Sequence, residues 1–301
     1  HIEQAGIHSG DSCCSIPTHT LSDEVKGIIR SYTHKLGKAL HTVGLLNIQM
    51  ALYKGSVYVI EANPRASRTV PFVSKATGRN VAGIAAKIMT GLSLKDVNFT
   101  EEPKLMYSAV KEAVIPFERF PGTQIQLGPE MRSTGEVMGI DRSFGMAFLK
   151  SQAGTRVPIP VSGNVILTVT DQDKEPLVPL AARLKALGFT LYATPGTKAM
   201  LENKGIDCKL IVKIGQQRPH LLDFIRNGEA NMIVNTVSGP TSARDANTIR
   251  TEALARRINL ITTLAALRAT VEGLEARRQE QRIVAPLQDY YAGYIQGKTN
   301  E

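Results

Sequence analysis

The sequence predicts an α/β protein built from two units, and three features lead to this prediction. The chain has 301 residues, which is long enough for two hydrophobic cores. In the second half, strand-like segments alternate with helical ones, which is typical of a doubly wound parallel sheet. The first half contains a hairpin pattern over 46–71 and further strand-like segments. A proline-containing stretch at 154–163 is predicted to link the two units.

The first unit opens with a glycine-flanked loop, GIHSGDS, within residues 1–22. Glycine allows the backbone to approach a ligand closely, although a plain surface turn has the same composition. A helix is then predicted from Leu21 to Val43, because Ser22 suits an N-cap and apolar residues follow at helical spacing. The predicted core residues of this helix are Val25, Ile28, Ile29, Tyr32 and Leu36.

A second helix is predicted from Ser74 to Thr90, ending at Gly91. Its expected buried face consists of Ala82, Ala85, Ala86 and Met89. Residues 105–150 then return to the alternation of polar and apolar residues that is typical of strands.

The hairpin carries polar residues that suit a metal site. Its two strands are predicted to flank a turn at Lys54-Gly55-Ser56. Val57, Val59, Glu61 and Asn63 are expected to share one face of the second strand. If Tyr53 lies opposite Val57, then Gln49 falls opposite Glu61. Carboxylate and amide oxygens suit Mg²⁺ or Mn²⁺, so the predicted metal ligands are Gln49, Glu61 and Asn63.

Two arginines follow the second strand of the hairpin directly. Arg65 and Arg68 are close enough in sequence to neutralise charge on a transferring phosphoryl group. The alternative is that Glu61 simply leads into an Asn-Pro turn, which is the commoner meaning of this short pattern alone.

The second unit is predicted from five strand patterns and the helices between them. A strand at 165–170 precedes a helix over about 175–187, which Gly188 ends. Further strands are predicted at 189–194, 208–214, 231–236 and 259–264, with helices near 198–204, 219–227, 246–257 and 264–280. Residues 275–301 are expected to form a helix end and a loosely ordered tail.

Hydroxyl, amide and lysine side chains follow the predicted strands of the second unit. Because the carboxyl ends of parallel strands meet at one edge of a sheet, these groups are expected to bind an anion there. The candidates are Thr170, Lys174, Thr194, Thr197, Lys213 and Asn235. Taken singly, the threonines are equally well explained as helix caps and the lysines as solvated surface residues.

Composition excludes several classes of protein. No apolar run approaches the roughly 20 residues that cross a bilayer, so no membrane partner is expected. The net charge is +9, but aromatic residues are only 5% and the basic residues are dispersed, so we expect nucleotide sites rather than a nucleic-acid partner. The cysteines have no metal or disulfide spacing, which is typical of a cytoplasmic protein: they are Cys13, Cys14 and Cys208.

The string IEANPRASRTVPFVSKATG, residues 60–78, closely resembles the metal and phosphate segment of the ATP-grasp ligases. More narrowly, it resembles the large chain of the carbamoyl phosphate synthetase family. The resemblance extends over 1–155 and includes the run STGEVMG at 133–139. It implies that residues 1–156 are the C-terminal part of an ATP-grasp α+β domain.

The same resemblance implies ligands for the first unit, namely ATP with Mg²⁺ or Mn²⁺ as cofactors. The residues that would line the nucleotide are Gly6, Ile7, His8 and Ser9, together with the metal-site residues Gln49 and Glu61. Three acidic residues match those that hold the cationic effector ornithine in some members of the family: Glu3, Asp11 and Glu112.

The second unit, 157–301, resembles the methylglyoxal-synthase-like fold that forms the family's regulatory domain. The resemblance implies that uridine monophosphate binds to Lys174, Thr194, Thr197, Lys213 and Asn235. The sequence departs from the pattern at Val237, where pyrimidine-regulated members tend to carry a hydroxyl. A lost donor at a buried site costs roughly 1 kcal/mol or more, so uridine monophosphate is not the only candidate effector.

The complete enzymes of this family make carbamoyl phosphate from bicarbonate, glutamine-derived ammonia and two ATP, in arginine and pyrimidine biosynthesis. The resemblance implies that this part phosphorylates carbamate, with the rest of the large chain and a glutaminase small chain as partners. The start HIEQAG, without Met, predicts an excised piece of a longer chain. It lacks the segments for the adenine pocket and the phosphate lid, so we expect it to be inactive alone.

Two other functions remain open. The chain as it stands is also consistent with a regulatory nucleotide-binding module that has no chemistry of its own. A working methylglyoxal synthase ranks last, because it needs a carboxylate base in the loop after 231–236. The sequence there is GPTSARD, with Asp245 displaced from the expected place.

Overall fold

The computed structural model of the protein describes residues 1–115, 127–155, 157–237 and 240–293, and at 240–243 it describes the backbone alone. The strands of the first unit are β1 (Cys14–Ile16), β2 (Asn47–Tyr53), β3 (Ser56–Asn63), β4 (Ser108–Val114) and β5 (Gly135–Asp141). Its helices are α1 (Asp23–Ala39), α2 (Val70–Thr77), α3 (Val81–Met89) and α4 (Phe144–Ala153).

Two antiparallel sheets organise the first unit. Strands β2 and β3 form the predicted hairpin, and a separate sheet has the order β1-β4-β5. Helix α4 packs on β4 and β5, in a region where strand-like alternation was expected to continue. Ser143 caps α4 by accepting a hydrogen bond from the backbone N–H of Met146, a local start signal for a helix. The FPG run that was expected to be part of this region lies outside the described residues.

The predicted first helix forms, but its core assignment is wrong. Helix α1 begins after Ser22 and contains no buried residue. The five apolar residues do lie on one face and are half-buried. Helix α1 packs against β3 of the hairpin, and a two-stranded hairpin is too small to bury a helix face fully.

The predicted second helix is two helices. Gly78 has φ +67° and ends α2, and the Asn80 side chain accepts a hydrogen bond from Gly83 N–H to start α3. A left-handed glycine followed by an Asn cap forces this break. Of the four residues expected on the buried face, only Ala85 is buried, and Met89 is 69% exposed.

The second unit is the predicted doubly wound sheet, with five parallel strands in the order β10-β9-β6-β7-β8. The strands are β6 (Asn164–Thr168), β7 (Thr190–Ala193), β8 (Lys209–Leu210), β9 (Met232–Asn235) and β10 (Asn259–Ile261). The helices are α5 (Asp171–Ala186), α6 (Pro195–Asn203), α7 (Leu221–Arg226), α8 (Pro240–Ala255) and α9 (Leu264–Gln279). Successive residues of β6, such as Val165 and Ile166, point to opposite faces of the sheet and enter separate cores.

The two units join through α4 and α9. Gly145 lies so close to α9 that an added Cβ would come within 2.7 Å of the carbonyl oxygen of Glu272. On the other side of the contact, an added Cβ at Gly273 would lie 2.9 Å from Leu149 Cγ. Glycine on both helices therefore permits a close crossing.

Up to residue 293 the C-terminal segment returns to the first unit, where a loose tail was expected, and residues 294–301 lie outside the described part of the chain. Helix α10 (Leu287–Tyr291) places Tyr290, only 3% exposed, in a core cluster with Phe72 and Tyr107. The Tyr291 hydroxyl donates to the carbonyl of Lys75 at 2.6 Å. Aromatic burial offsets the cost of ordering this segment.

Candidate functional site

The hairpin brings Gln49 and Glu61 together, as predicted. They are direct partners in the β2–β3 ladder. The assumed register near the turn is wrong, because Tyr53 pairs with Ser56 and not with Val57. The turn has two residues, Lys54 and Gly55, both at positive φ (47° and 79°), as in the tight hairpin turns that suit twisted strands.

A β-bulge explains why the predicted Gln49–Glu61 pair is correct although the predicted register at the turn is wrong. Met50 pairs with Val59 while Gln49 pairs with Glu61, so Ile60 has no partner in the ladder. An extra residue on one strand reverses the faces beyond it. Glu61 thus lies on the Gln49 face, whereas Val59 lies on the opposite one, and the expectation that Val59 and Glu61 share a face is wrong.

The donor set of this face fits a hard divalent cation. The Gln49 amide donates through Nε2 to the carbonyl of Ile7 at 3.3 Å, which leaves its Oε1 as the oxygen available to a metal. Across the described ranges, Glu61 forms no ion pair. Asn63 pairs with Asn47 in the ladder. One carboxylate and two amide oxygens are ligands that Mg²⁺ or Mn²⁺ accepts, with water and phosphate completing the shell.

The Gln49–Ile7 bond also ties the hairpin to the loop at residues 6–9. In this loop Gly6 has φ +96°, and His8 Nδ1 accepts a hydrogen bond from Gly10 N–H at 3.0 Å. Lys111 was not among the predicted site residues, but it is fully buried and donates to the carbonyls of Ser9 and Gly10 at 3.1 and 3.2 Å. Its signal was a lysine within an apolar strand pattern.

Arg65 and Arg68 lie directly beyond β3 and are exposed. Arg65 Nη1 donates to the carbonyl of Ala66 at 3.0 Å, and its backbone N–H donates to the carbonyl of Asn63 at 2.8 Å. Neither guanidinium is ion-paired within the described residues, so both are free to contact an anion beside the Glu61 face.

Glu3 and Glu112 form a second, acidic cluster. Burial, with the nearby charge of Glu112 as the next cause, raises the pKa of Glu3 from 4.5 to about 8. Its Oε2 atom is buried and has no hydrogen-bond partner within the described structure. Glu112 accepts from Gln152 Nε2 at 2.7 Å, and burial raises its pKa also. Glu3 lines a cavity of about 790 Å³ that extends to β2 and α9.

Asp11, the third acidic candidate, is 2% exposed and has its two carboxylate oxygens occupied by backbone donors. Oδ2 accepts from Arg132 N–H at 2.8 Å and Oδ1 from Ser133 N–H at 2.9 Å. The described geometry therefore gives Asp11 a structural role, and leaves Glu3 as the carboxyl with an unpaired oxygen.

The sheet edge of the second unit gathers the predicted hydroxyl and lysine groups. Thr194 and Thr197, at the start of α6, are 4% and 1% exposed, with their hydroxyls 3.4 Å apart. Helix α5 starts four residues earlier than expected, at Asp171, which puts Lys174 in its first turn. Lys174 Nζ lies 2.8 Å from the position of an added Cβ at Gly196, so this ammonium sits against the N-terminus of α6.

Lys213 belongs to the same edge. Asp171 binds Lys174 at 2.5 Å, which lowers the pKa of Asp171, and the charge of Lys213 contributes to that lowering. Thr170 N–H donates to Thr236 Oγ1 at 3.0 Å, which connects the ends of β6 and β9. The edge therefore presents two lysines near a helix N-terminus, an arrangement that suits an anion.

Asn235, at the end of β9, is 4% exposed and is held by Arg250, a residue that was not among the predicted site residues. Arg250 of α8 donates to Asn235 Oδ1 at 3.3 Å and to its carbonyl at 3.2 Å. The available signal was an arginine within the apolar helical stripe of Ala246, Ile249 and Ala253. Asp245 lies exposed on α8, so it does not supply the loop carboxylate that a methylglyoxal synthase needs.

Comparison with known proteins gives matches to both units. The family model described as "Carbamoyl-phosphate synthase L chain, ATP binding domain" matches residues 2–97, and the "MGS-like domain" model matches 176–262. Within the described ranges, none of the helices is both long and apolar enough to cross a membrane.

Three relatives illustrate the similarity, and each is named carbamoyl phosphate synthase large chain. Synthase and synthetase are two forms of the same enzyme name. The protein of Synechocystis sp. is 50% identical over 96% of this chain and 27% of its own length. That of Archaeoglobus fulgidus is 48% identical over 97% and 27%. That of Pasteurella multocida is 50% identical over 91% and 26%. The chain thus spans about a quarter of the length of these relatives.

Proposed function

We propose, since the chain belongs to the carbamoyl phosphate synthetase large-chain family, that it is the C-terminal part of such an enzyme. In this proposal residues 1–156 carry part of the site that phosphorylates carbamate with ATP, and residues 157–301 regulate it. The main support for the catalytic half of this proposal is the pairing of Gln49 with Glu61, together with the hydrogen bond that Gln49 donates to the loop carbonyl of Ile7.

The residues of the hairpin bind and orient the reactants. Glu61, Gln49 and Asn63 offer oxygens to Mg²⁺ or Mn²⁺, and a bound cation neutralises phosphate charge and aligns the phosphoryl group. Arg65 and Arg68 add positive charge beside that position. Ile7 and the neighbouring loop residues, fixed by Gln49 and Lys111, place backbone groups next to the nucleotide. Positioning and electrostatics account for most of the catalysis in such transfers.

The regulatory half is proposed to bind a nucleoside monophosphate at the edge formed by Thr194, Thr197, Lys174, Lys213 and Asn235. Buried hydroxyls at the start of α6 and two lysines provide neutral and charged donors. The Glu3–Glu112 cluster is proposed to bind ornithine, because a cationic amine would pair with the unpartnered Glu3 oxygen. The proposed partners are the rest of the large chain and a glutaminase small chain, in the cytoplasm.

Calorimetric titration of the 301-residue chain tests the regulatory assignments. Uridine monophosphate and ornithine are both expected to bind, at separate sites. Lys213→Ala should weaken nucleotide binding about 10- to 150-fold, because it removes a charge-assisted contact. Val237→Thr should leave it unchanged or tighten it. Unaltered affinity in a folded Lys213→Ala variant would remove Lys213 from the site.

The alternative function is a regulatory module without chemistry. The hairpin and the five-stranded sheet that carries the anion edge are separate sheets, which favours this alternative for the chain alone, since an effector can then bind without a complete ATP site. Effector binding without any MgATP binding to the chain would support this alternative, whereas MgATP binding would support the catalytic assignment.

A further inference from the structure

Arg250 is a buried cation that no function above requires. It is 9% exposed, and burial lowers the pKa of its guanidinium. None of the carboxylates in the described ranges forms an ion pair with it. Burying a charge without a counter-charge is costly, so a guanidinium left in this state points to a ligand that supplies the missing negative charge.

The contacts of Arg250 define the orientation of Asn235. Arg250 Nε lies 3.3 Å from the Asn235 side-chain oxygen, and Nη2 lies 3.2 Å from the Asn235 carbonyl. A guanidinium only donates hydrogen bonds, so the Asn235 atom facing it must be Oδ1. The amide nitrogen Nδ2 consequently points away from Arg250. It makes no hydrogen bond within the described part of the chain.

We propose that Arg250 is a positioning residue of the nucleotide site. It holds the Asn235 amide so that Nδ2 offers its N–H groups to acceptor atoms of a phosphate-bearing ligand, and it places a fixed positive charge behind that ligand. This inference rests on the proposed nucleoside monophosphate site and extends it to the helix behind the sheet edge.

The test is calorimetric titration of the 301-residue chain with uridine monophosphate at low and high NaCl. Arg250→Met removes the charge and donors, Arg250→Lys keeps a charge and a donor, and Arg256→Met removes an exposed charge just beyond α8 as the matched control. Asn235→Asp keeps the contact with Arg250 but presents oxygens in place of N–H groups.

Arg250→Met should weaken binding at least tenfold and reduce its dependence on NaCl, while Arg250→Lys restores most of the affinity and Arg256→Met changes neither. Asn235→Asp should abolish binding without lowering the melting temperature, because the new carboxylate pairs with Arg250. If Arg250→Met fails to fold, Arg250→Lys and Asn235→Asp still decide the test.

Two negative results are distinguishable. If the wild-type chain does not bind uridine monophosphate, the proposed assignment of this effector fails and this inference with it. If the wild type binds but the folded Arg250 and Asn235 variants bind equally well with the same NaCl dependence, only the inference is overturned, and Arg250 has a purely structural role.

Discussion

At the scale of single residues, the position of Glu61 in the hairpin supports its proposed role as a metal ligand. It lies opposite Gln49, whose amide nitrogen is already bonded to Ile7. Two oxygens from facing strands can therefore approach one cation. The carboxylate supplies the only negative charge of the three proposed ligands, so most of the electrostatic attraction for the metal depends on it.

Glu61→Gln in the complete enzyme is therefore expected to abolish carbamoyl phosphate synthesis while retaining the fold. The amide has nearly the same shape but lacks the charge. Glu101→Gln, at an exposed carboxyl outside the strands of the hairpin, is the matched control and should be active. Steady-state assays at saturating MgATP make the comparison. Turnover like that of the wild type in Glu61→Gln would refute the metal assignment.

The raised pKa of Glu3 predicts that the stability of the fold depends on pH. Its pKa is raised from 4.5 to about 8, chiefly by burial, so the folded protein holds the proton more tightly than the unfolded chain. The contribution of Glu3 to stability is then greatest below pH 4.5 and falls as the pH rises towards 8. Glu3→Gln should remove this part of the pH dependence and be relatively more stable at pH 8, as measured by urea unfolding.

Ornithine binding should show the opposite pH trend. A cation favours the ionised carboxylate, so its affinity should rise by up to about tenfold per pH unit below the pKa of Glu3. Titration in two buffers with different ionisation enthalpies should detect proton release at pH 7. Glu3→Gln should abolish binding and proton release, with Glu101→Gln as control. An affinity for ornithine that does not vary with pH would count against Glu3 as the contact.

At the scale of elements, the crossing of α4 and α9 connects the two units. An added Cβ at Gly145 would lie 2.7 Å from a backbone oxygen and 2.9 Å from Ala276 Cβ. Backbone cannot yield as a flexible side chain does, so the helices would have to separate. This crossing requires glycine because a larger residue has no space there, and not because of an unusual φ.

Gly145→Ala should destabilise the protein by about 1–3 kcal/mol, the usual range for overpacking. Gly27→Ala on α1 meets nothing within 4 Å and should stabilise by about 0.5–1 kcal/mol through helix propensity. The same substitution is thus expected to have opposite signs at the two sites. Chemical denaturation of both variants measures this, and equal effects would contradict the close crossing.

At the scale of the whole molecule, the C-terminal segment crosses from the second unit back to the first. Lys150 donates to the Tyr290 hydroxyl at 3.1 Å and binds Asp141 at 2.7 Å. Tyr290 itself fills the core beside Phe72 and Tyr107. The segment is therefore part of the first unit's core although it follows the second in sequence.

Tyr290→Ala should cost about 3–5 kcal/mol, the range for deleting a buried aromatic ring. Tyr290→Phe keeps the ring and loses only the contact with Lys150, so it should cost about 1 kcal/mol. Thermal unfolding of the pair separates packing from hydrogen bonding. Two equally small effects would show that the segment does not support the core.

The chain on its own is expected to make no net carbamoyl phosphate. The hairpin stands as a two-stranded sheet in the described structure, and Leu52, Tyr53 and Tyr58 of that hairpin are 47%, 60% and 53% exposed. A site this open cannot exclude water from a transferring phosphoryl group. The assay is ATP formation from carbamoyl phosphate and ADP. Measurable turnover would show that residues 1–301 enclose the reactants after all.

The local sequence was sufficient to predict the fold wherever a pattern of residues also determines which segments pair with each other. The alternation of strands and helices determined the parallel sheet, since strands buried on both faces can pair in few other ways. The Gln49–Glu61 pair was also predictable, although by two errors that cancelled: a turn one residue too long and an unseen bulge at Ile60.

Tertiary structure alone decided which residues are buried and what they contact. Periodicity placed the apolar face of α1 correctly but could not show how little covers it. It could not reveal that Arg250 orients Asn235, that Lys111 holds the loop at Ser9, or that Tyr290 returns to the first unit. These contacts join residues 15, 102 and more than 180 positions apart, and the spacing of residues along a chain carries no information about which distant segments meet.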